Sequence, residues 1–183
     1  VKFLRPALLG LLSLAYPPLV YLGLGHFEPR WMALPLAGMA VVRAVATRER
    51  VWLAAAVGAL ALAASSMLGN HALPLKLYPV LVNTVLLAVF VTSLAYPPSV
   101  IERLARLREP ELPASGVTYT RRVTQVWCGF FVLNGGIALF TAIGASDETW
   151  ALYNGLISYV LMGVLFAVEW VVRQQVRARH VHG

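Results

Sequence analysis

Six apolar stretches, each close to the length that crosses a bilayer, constrain this chain more than any other feature. They cover residues 4–25, 31–47, 51–69, 77–96, 123–145 and 150–172. A helix rises about 1.5 Å per residue, so about 20 apolar residues span the ~30 Å hydrocarbon core. The stretch 31–47 is short and carries Arg43 near its end, while 77–96 is bounded by Lys76 and by Tyr96-Pro97-Pro98. Hydrophobic residues make up 59% of the 183 residues and charged residues only 13%. A soluble domain carries about 25% charged residues, so there are too few polar side chains here to cover a water-facing surface. The expected fold is an all-α integral membrane protein, a single domain over residues 1–183 with a bundle of about six transmembrane helices.

The charges between the stretches set the expected orientation. Thirteen of the fifteen Lys and Arg residues fall in alternate segments. These are the N-terminus (Lys2, Arg5), the second connection (Arg43, Arg48, Arg50), the fourth (Arg103, Arg106, Arg108, Arg121, Arg122) and the tail (Arg173, Arg177, Arg179). The other segments hold only Arg30 and Lys76, and the fifth connection carries Asp147 and Glu148 instead. Basic segments stay on the cytoplasmic side, so both termini and the 97–122 loop are expected there, in a bacterial inner membrane. A five-span reading breaks the alternation. The opening Val1-Lys2-Phe3-Leu4-Arg5 and its Leu-rich run imitate a signal peptide. No A-x-A-like cleavage site follows Pro17-Pro18, so the run is read as a retained first helix. A net charge of +7 would point a soluble chain toward nucleic acid. Here it is explained by topology, there is no aromatic-basic interleaving, and no nucleic-acid partner is expected.

The long connection opens as a short cytoplasmic amphipathic helix. Ser99 with Glu102 three residues later forms a capping box. Val100, Ile101, Leu104 and Leu107 fall on one face, and Glu102, Arg103, Arg106 and Glu109 on the other, with Arg108 intruding on the apolar side. Pro110 and Pro113 stop it. Two readings stand: a helix at the headgroup layer with its arginines on anionic lipid, or a connector packed on the bundle. The string Leu-Ala-Tyr-Pro-Pro occurs at 14–18 and again at 94–98. Inverted halves would account for it, but five common residues carry little weight.

Polar groups within the stretches are costly in hydrocarbon and so mark the candidate sites. Asn83, Asn134 and Asn154 lie in three different stretches, and Tyr153, Ser158 and Thr141 can join them. Amides of this kind either tie helices together or line a polar pocket for a lipid-like ligand. Gly135-Gly136 permits close helix approach or a kink, and the Ala-rich third stretch is expected to pack centrally. No Asp or Glu lies near mid-membrane, which argues against a proton-coupled carrier. Glu169 is near the inner end of the last stretch, where Arg173, Arg121 or Arg122 can pair with it. Arg121 and Arg122 are candidates for headgroup contact. His26, Glu28, His71, Asp147 and Glu148 share the outer loops, but their spacing has no zinc motif. His180 and His182 read as solvated, and the single Cys128 as a small buried hydrophobe. Trp31, Trp52, Trp127, Trp150 and Trp170 lie near stretch ends, as an aromatic belt would. There is no phosphate-cradling glycine loop, H-E-x-x-H or G-x-S-x-G, so neither an enzyme nor a cofactor is supported.

Two resemblances bear on function. Arg121-Arg122, Trp127, Phe130-Phe131, Gly135 and Ser146-Asp147-Glu148-Thr149-Trp150 resemble the closing half of the intracellular septation protein A family, small bacterial inner-membrane proteins. Tyr96-Pro97-Pro98 to Arg108, Leu112-Pro113, Gly116-Val117, Tyr119-Thr120-Arg121 and Leu152-Tyr153-Asn154-Gly155 resemble an uncharacterised predicted-membrane-protein family of Gram-negative bacteria. Genes of that family are associated with aryl-polyene or fatty-acid-like biosynthesis clusters. The resemblance implies a role in cell-envelope biogenesis or membrane homeostasis and supplies no catalytic residues. The resulting expectation is a non-enzymatic membrane protein that handles a lipid-like intermediate. A transporter and a scaffold for biosynthetic enzymes are the alternatives. Expected partners are membrane lipids, envelope-biosynthesis proteins and a second copy of the chain.

Overall fold

The computed structural model describes residues 16–23, 26–46 and 50–181. Every regular element among them is helical. Residues 16–23 belong to helix α1, and the rest of the expected first span lies outside the described residues. There follow α2 (Pro29–Ala46), α3 (Arg50–Gly69), α4 (Leu73–Lys76), α5 (Tyr78–Ala95), α6 (Val100–Arg106), α7 (Ala114–Gly144) and α8 (Asp147–Leu152). A π turn (Tyr153–Ile157) then leads into α9 (Ser158–Val181).

Four of the six expected spans are helices long and apolar enough to cross a membrane: Val51–Gly69, Leu73–Ala95, Ala114–Gly144 and Asp147–Gln174. Helix α2 has 18 residues, but Pro29, Arg30, Pro35 and Arg43 dilute its apolar content. The surface agrees with a lipid surrounding. Leu68, Phe140 and Leu133 are 90%, 70% and 69% exposed, and an apolar face of that extent is not one that water tolerates.

Helices α2 and α3 pair through small side chains. Ala33, Leu36 and Ala40 share a core with Ala59 and Ala63, and small residues let two backbones approach where burial from water supplies no drive. The Ala-rich helix packs against α2 on this face, with further contacts to α4 and α5. Asn70 ends α3 in the left-handed region (φ 50°), and its side-chain oxygen accepts from the Arg30 N–H at 3.3 Å. Helices α5 and α7 form the second pair. At Gly135 a Cβ would lie 3.1 Å from the Asn83 Cβ, so glycine is what allows this crossing.

Three expectations are revised. Helix α7 begins at Ala114, well before 123, so the 97–122 connection is largely helical. Its 31 residues reach about 46 Å, longer than the hydrocarbon. Arg121-Arg122 therefore lie within a helix and not before its start. Secondly, Trp127 and Trp150 are 4% and 0% exposed and belong to the core, not to a belt. Trp127 packs on Phe166 (4.6 Å) and Phe131 (5.7 Å), and Phe90 meets Phe131 edge-on at 5.1 Å. Trp31 and Trp170 are exposed, as a belt requires. Thirdly, α6 sorts its faces differently. Ser99 caps it by accepting from the Glu102 N–H at 3.3 Å. The Glu102 carboxylate, however, turns inward and is held by Arg106 at 2.8 Å. Glu102 and Ala105 are buried, while Leu104 and Leu107 are exposed. The two Tyr-Pro-Pro copies also differ: Tyr16 is buried on a helix, whereas Tyr96 lies exposed beyond the end of α5.

Candidate functional site

The polar residues singled out from the sequence meet where α5, α7 and the π turn converge. Trp150, Tyr153 and Asn154 have the i, i+3, i+4 spacing that puts side chains on one helix face. The π turn over Tyr153–Ile157 continues that buried face to Ser158, and such turns recur at functional sites. Gly155 makes room for α1: a Cβ there would lie 3.2 Å from Pro18 Cδ.

A chain of neutral hydrogen bonds links the three elements. The Tyr153 hydroxyl donates to Asn134 Oδ1 at 2.8 Å, and Asn134 Nδ2 donates to Asn83 Oδ1 at 3.0 Å. Asn83 Nδ2 donates to the Pro79 carbonyl at 2.8 Å. Asn154 is a second, separate tie. Its Nδ2 donates to the Trp150 carbonyl at 2.9 Å and to Thr141 Oγ1 at 3.2 Å. Ser158 donates back to the Asn154 carbonyl. An amide nitrogen carries two hydrogens. Asn83 and Asn134 therefore each keep one N–H that has no partner among the described residues, although they are only 8% and 6% exposed.

Those amides line a small cavity of about 60 Å³, together with Asn154 and Ser158. That is room for a few waters or one small polar group. Beside it lies an apolar cavity of about 360 Å³. Its alanine wall is Ala55, Ala56 and Ala59 on α3, and Trp52 and Met39 also face it. The two cavities share Tyr78, Val82, Leu86, Tyr159 and Met162 in their walls, so they lie side by side. No charged residue lines either among the described residues.

A second polar layer lies at the bundle end formed by α4 and α8. Lys76, only 7% exposed, reaches Asp147 at 2.7 Å. Its carbonyl accepts from Trp150 Nε1 at 3.1 Å, and its ammonium lies 6.0 Å from the Trp150 ring. The Tyr16 hydroxyl donates to the Leu75 carbonyl at 3.1 Å, and its ring meets Tyr78 at 4.6 Å. Tyr78, which meets Tyr16 here, also lines both cavities. Sequence reasoning missed it. The available signal was a lysine on the sparse side of the charge split, facing an acidic connection.

The cationic candidates do not join either layer. Arg121 donates to the Leu94 carbonyl at 3.0 Å, fastening α7 to the end of α5, and Arg122 is exposed. Glu169 accepts from the Tyr119 hydroxyl at 3.4 Å. None of the ion pairs among the described residues joins it to Arg173, Arg121 or Arg122. Arg30 pairs with Glu28. No group of three His, Cys, Asp or Glu side chains comes together among the described residues. No family model matches the chain, and neither a curated protein nor a solved structure matches it.

Proposed function

We propose that this chain is a non-enzymatic inner-membrane protein that supports cell-envelope biogenesis by holding a lipid-like intermediate inside its helix bundle. One observation carries the reading. Two buried asparagines with unused donors line a polar recess that adjoins a 360 Å³ apolar cavity. Ligand sites are typically apolar chambers of a few hundred Å³ with a few oriented polar groups. In this reading six helices cross the membrane, with both termini and α6 on the cytoplasmic side. The support is the division of thirteen basic residues against two between alternate segments. The exposed Leu104 and Leu107 of α6 then meet the inner leaflet, and Arg121 and Arg122 lie at headgroup level.

The test replaces Asn83, Asn134 and Asn154 together by leucine in the full chain. Lipid retained through purification, read by native mass spectrometry, should fall, and cells carrying the variant should become sensitive to envelope stress. Unchanged lipid retention and unchanged cells, in a variant that keeps its helical content, would sink the proposal.

A further inference from the structure

We infer that the two adjoining cavities together take a single-chain, uncharged lipid of about a dozen carbons whose head is a hydrogen-bond acceptor, such as an ester or amide carbonyl. This rests on the lipid-holding function proposed above and names the ligand class.

Size, polarity and direction each contribute. The apolar cavity of 360 Å³ equals about a dozen volumes of water or methylene size, at roughly 30 Å³ each. That matches one chain better than the two of a phospholipid. The recess of 60 Å³ holds a carbonyl-sized head and is too small for a phosphodiester with its glycerol. The groups waiting there are two donors, one N–H on Asn83 and one on Asn134, both more than nine-tenths buried, and one acceptor, the Asn154 Oδ1. An acceptor head satisfies the two donors, whereas a purely hydrocarbon guest leaves them unmet. A formal charge is a different matter. The nearest buried cation, Lys76, is already committed to Asp147. Among the described residues neither cavity is lined by a charge, and an unpaired ion in such a place is strongly disfavoured. The head therefore sits against α5 and α7, and the tail runs along the alanines of α3 toward Trp52. A longer side chain at Ala59 would occupy the tail's space.

The experiment uses the full chain in phosphatidylcholine nanodiscs and a methyl dodecanoate probe with a photoactivatable group at its terminal carbon. Labelled residues are mapped by mass spectrometry, and unlabelled competitors are titrated. Labelling is expected near Trp52 and Met39. Methyl dodecanoate should displace the probe at least about tenfold more effectively than dodecanesulfonate or dilauroyl phosphatidylglycerol. Ala59→Trp should remove the labelling, and Ala56→Leu should weaken it, in case the larger substitution fails to fold. Asn134→Leu should shrink the preference for the ester over dodecane. Labelling confined to the lipid-facing surface would overturn the lipid-holding function itself. Labelling in the cavity with the charged or two-chain competitor equally effective, or with the ester preference intact in Asn134→Leu, would overturn only the ligand class.

Discussion

The molecule has two buried polar layers less than one helix length apart, and they are built on opposite principles. The layer of Lys76, Asp147 and Trp150 is charged and closed. Its ammonium has its carboxylate, and its carbonyl has the indole N–H. The layer of Asn83, Asn134 and Tyr153 is neutral and left with donors to spare. A layer whose charge is matched by an opposite charge of the protein can hold helices together but offers little to an uncharged guest. A layer with unmet donors beside a void can do both. The contrast teaches that the polarity of a buried group is a poor guide to its role, and that the tally of its partners is a better one.

The comparison can be broken from the charged side first. Trp150→Ala removes a fully buried indole and one hydrogen bond. It should lower stability in detergent by about 3–5 kcal/mol, read as the shift of the thermal unfolding midpoint. Next comes Asp147→Asn, which strands the buried ammonium. Fully buried pairs cost more, but the Asp147 side chain is 52% exposed, so about 1–2 kcal/mol is expected after allowing for solvent screening. Lys76→Met, which fills the same space without a charge, should cost less than Asp147→Asn. The reverse order would mean that the clasp matters for its packing and not for its charge. On the neutral side, Asn134→Leu should cost only about 1 kcal/mol, and Tyr153→Phe about 0.5 kcal/mol, because hydrogen bonds between membrane helices are individually weak. If Asn134→Leu destabilised the fold as much as Trp150→Ala, the neutral layer would be structural and the distinction would collapse.

The asparagines were legible in the sequence because an amide in hydrocarbon needs a reason to be there. Their arrangement was not. Asn134 meets Asn83 only because Gly135 lets α7 approach α5, and Tyr153 reaches Asn134 from a π turn that no composition signal announces. Lys76 and Trp150 read as span-end residues, and span ends they are. What hydropathy could not say is that both turn inward. The faces of α6 were misassigned for a related reason. Heptad-like sorting put Glu102 with the arginines on the outside, yet its ion pair with Arg106 lets it be buried while Leu104 and Leu107 stay out.

The apolar stretches by themselves determined that this chain is helical and apolar enough for a membrane, since only internally hydrogen-bonded backbones are stable in lipid; they led to an expectation of six spans, and four described helices are long and apolar enough to cross. They also determined which few polar residues would have to be accommodated. Only the tertiary structure decided which way each side chain faces. In water, burial separates core from surface, and hydropathy records it. In a bilayer the lipid and the protein interior are equally apolar, so a tryptophan in the core and one in the aromatic belt look the same in sequence. The difference rests on which helices cross, how closely, and where a single π turn shifts the register.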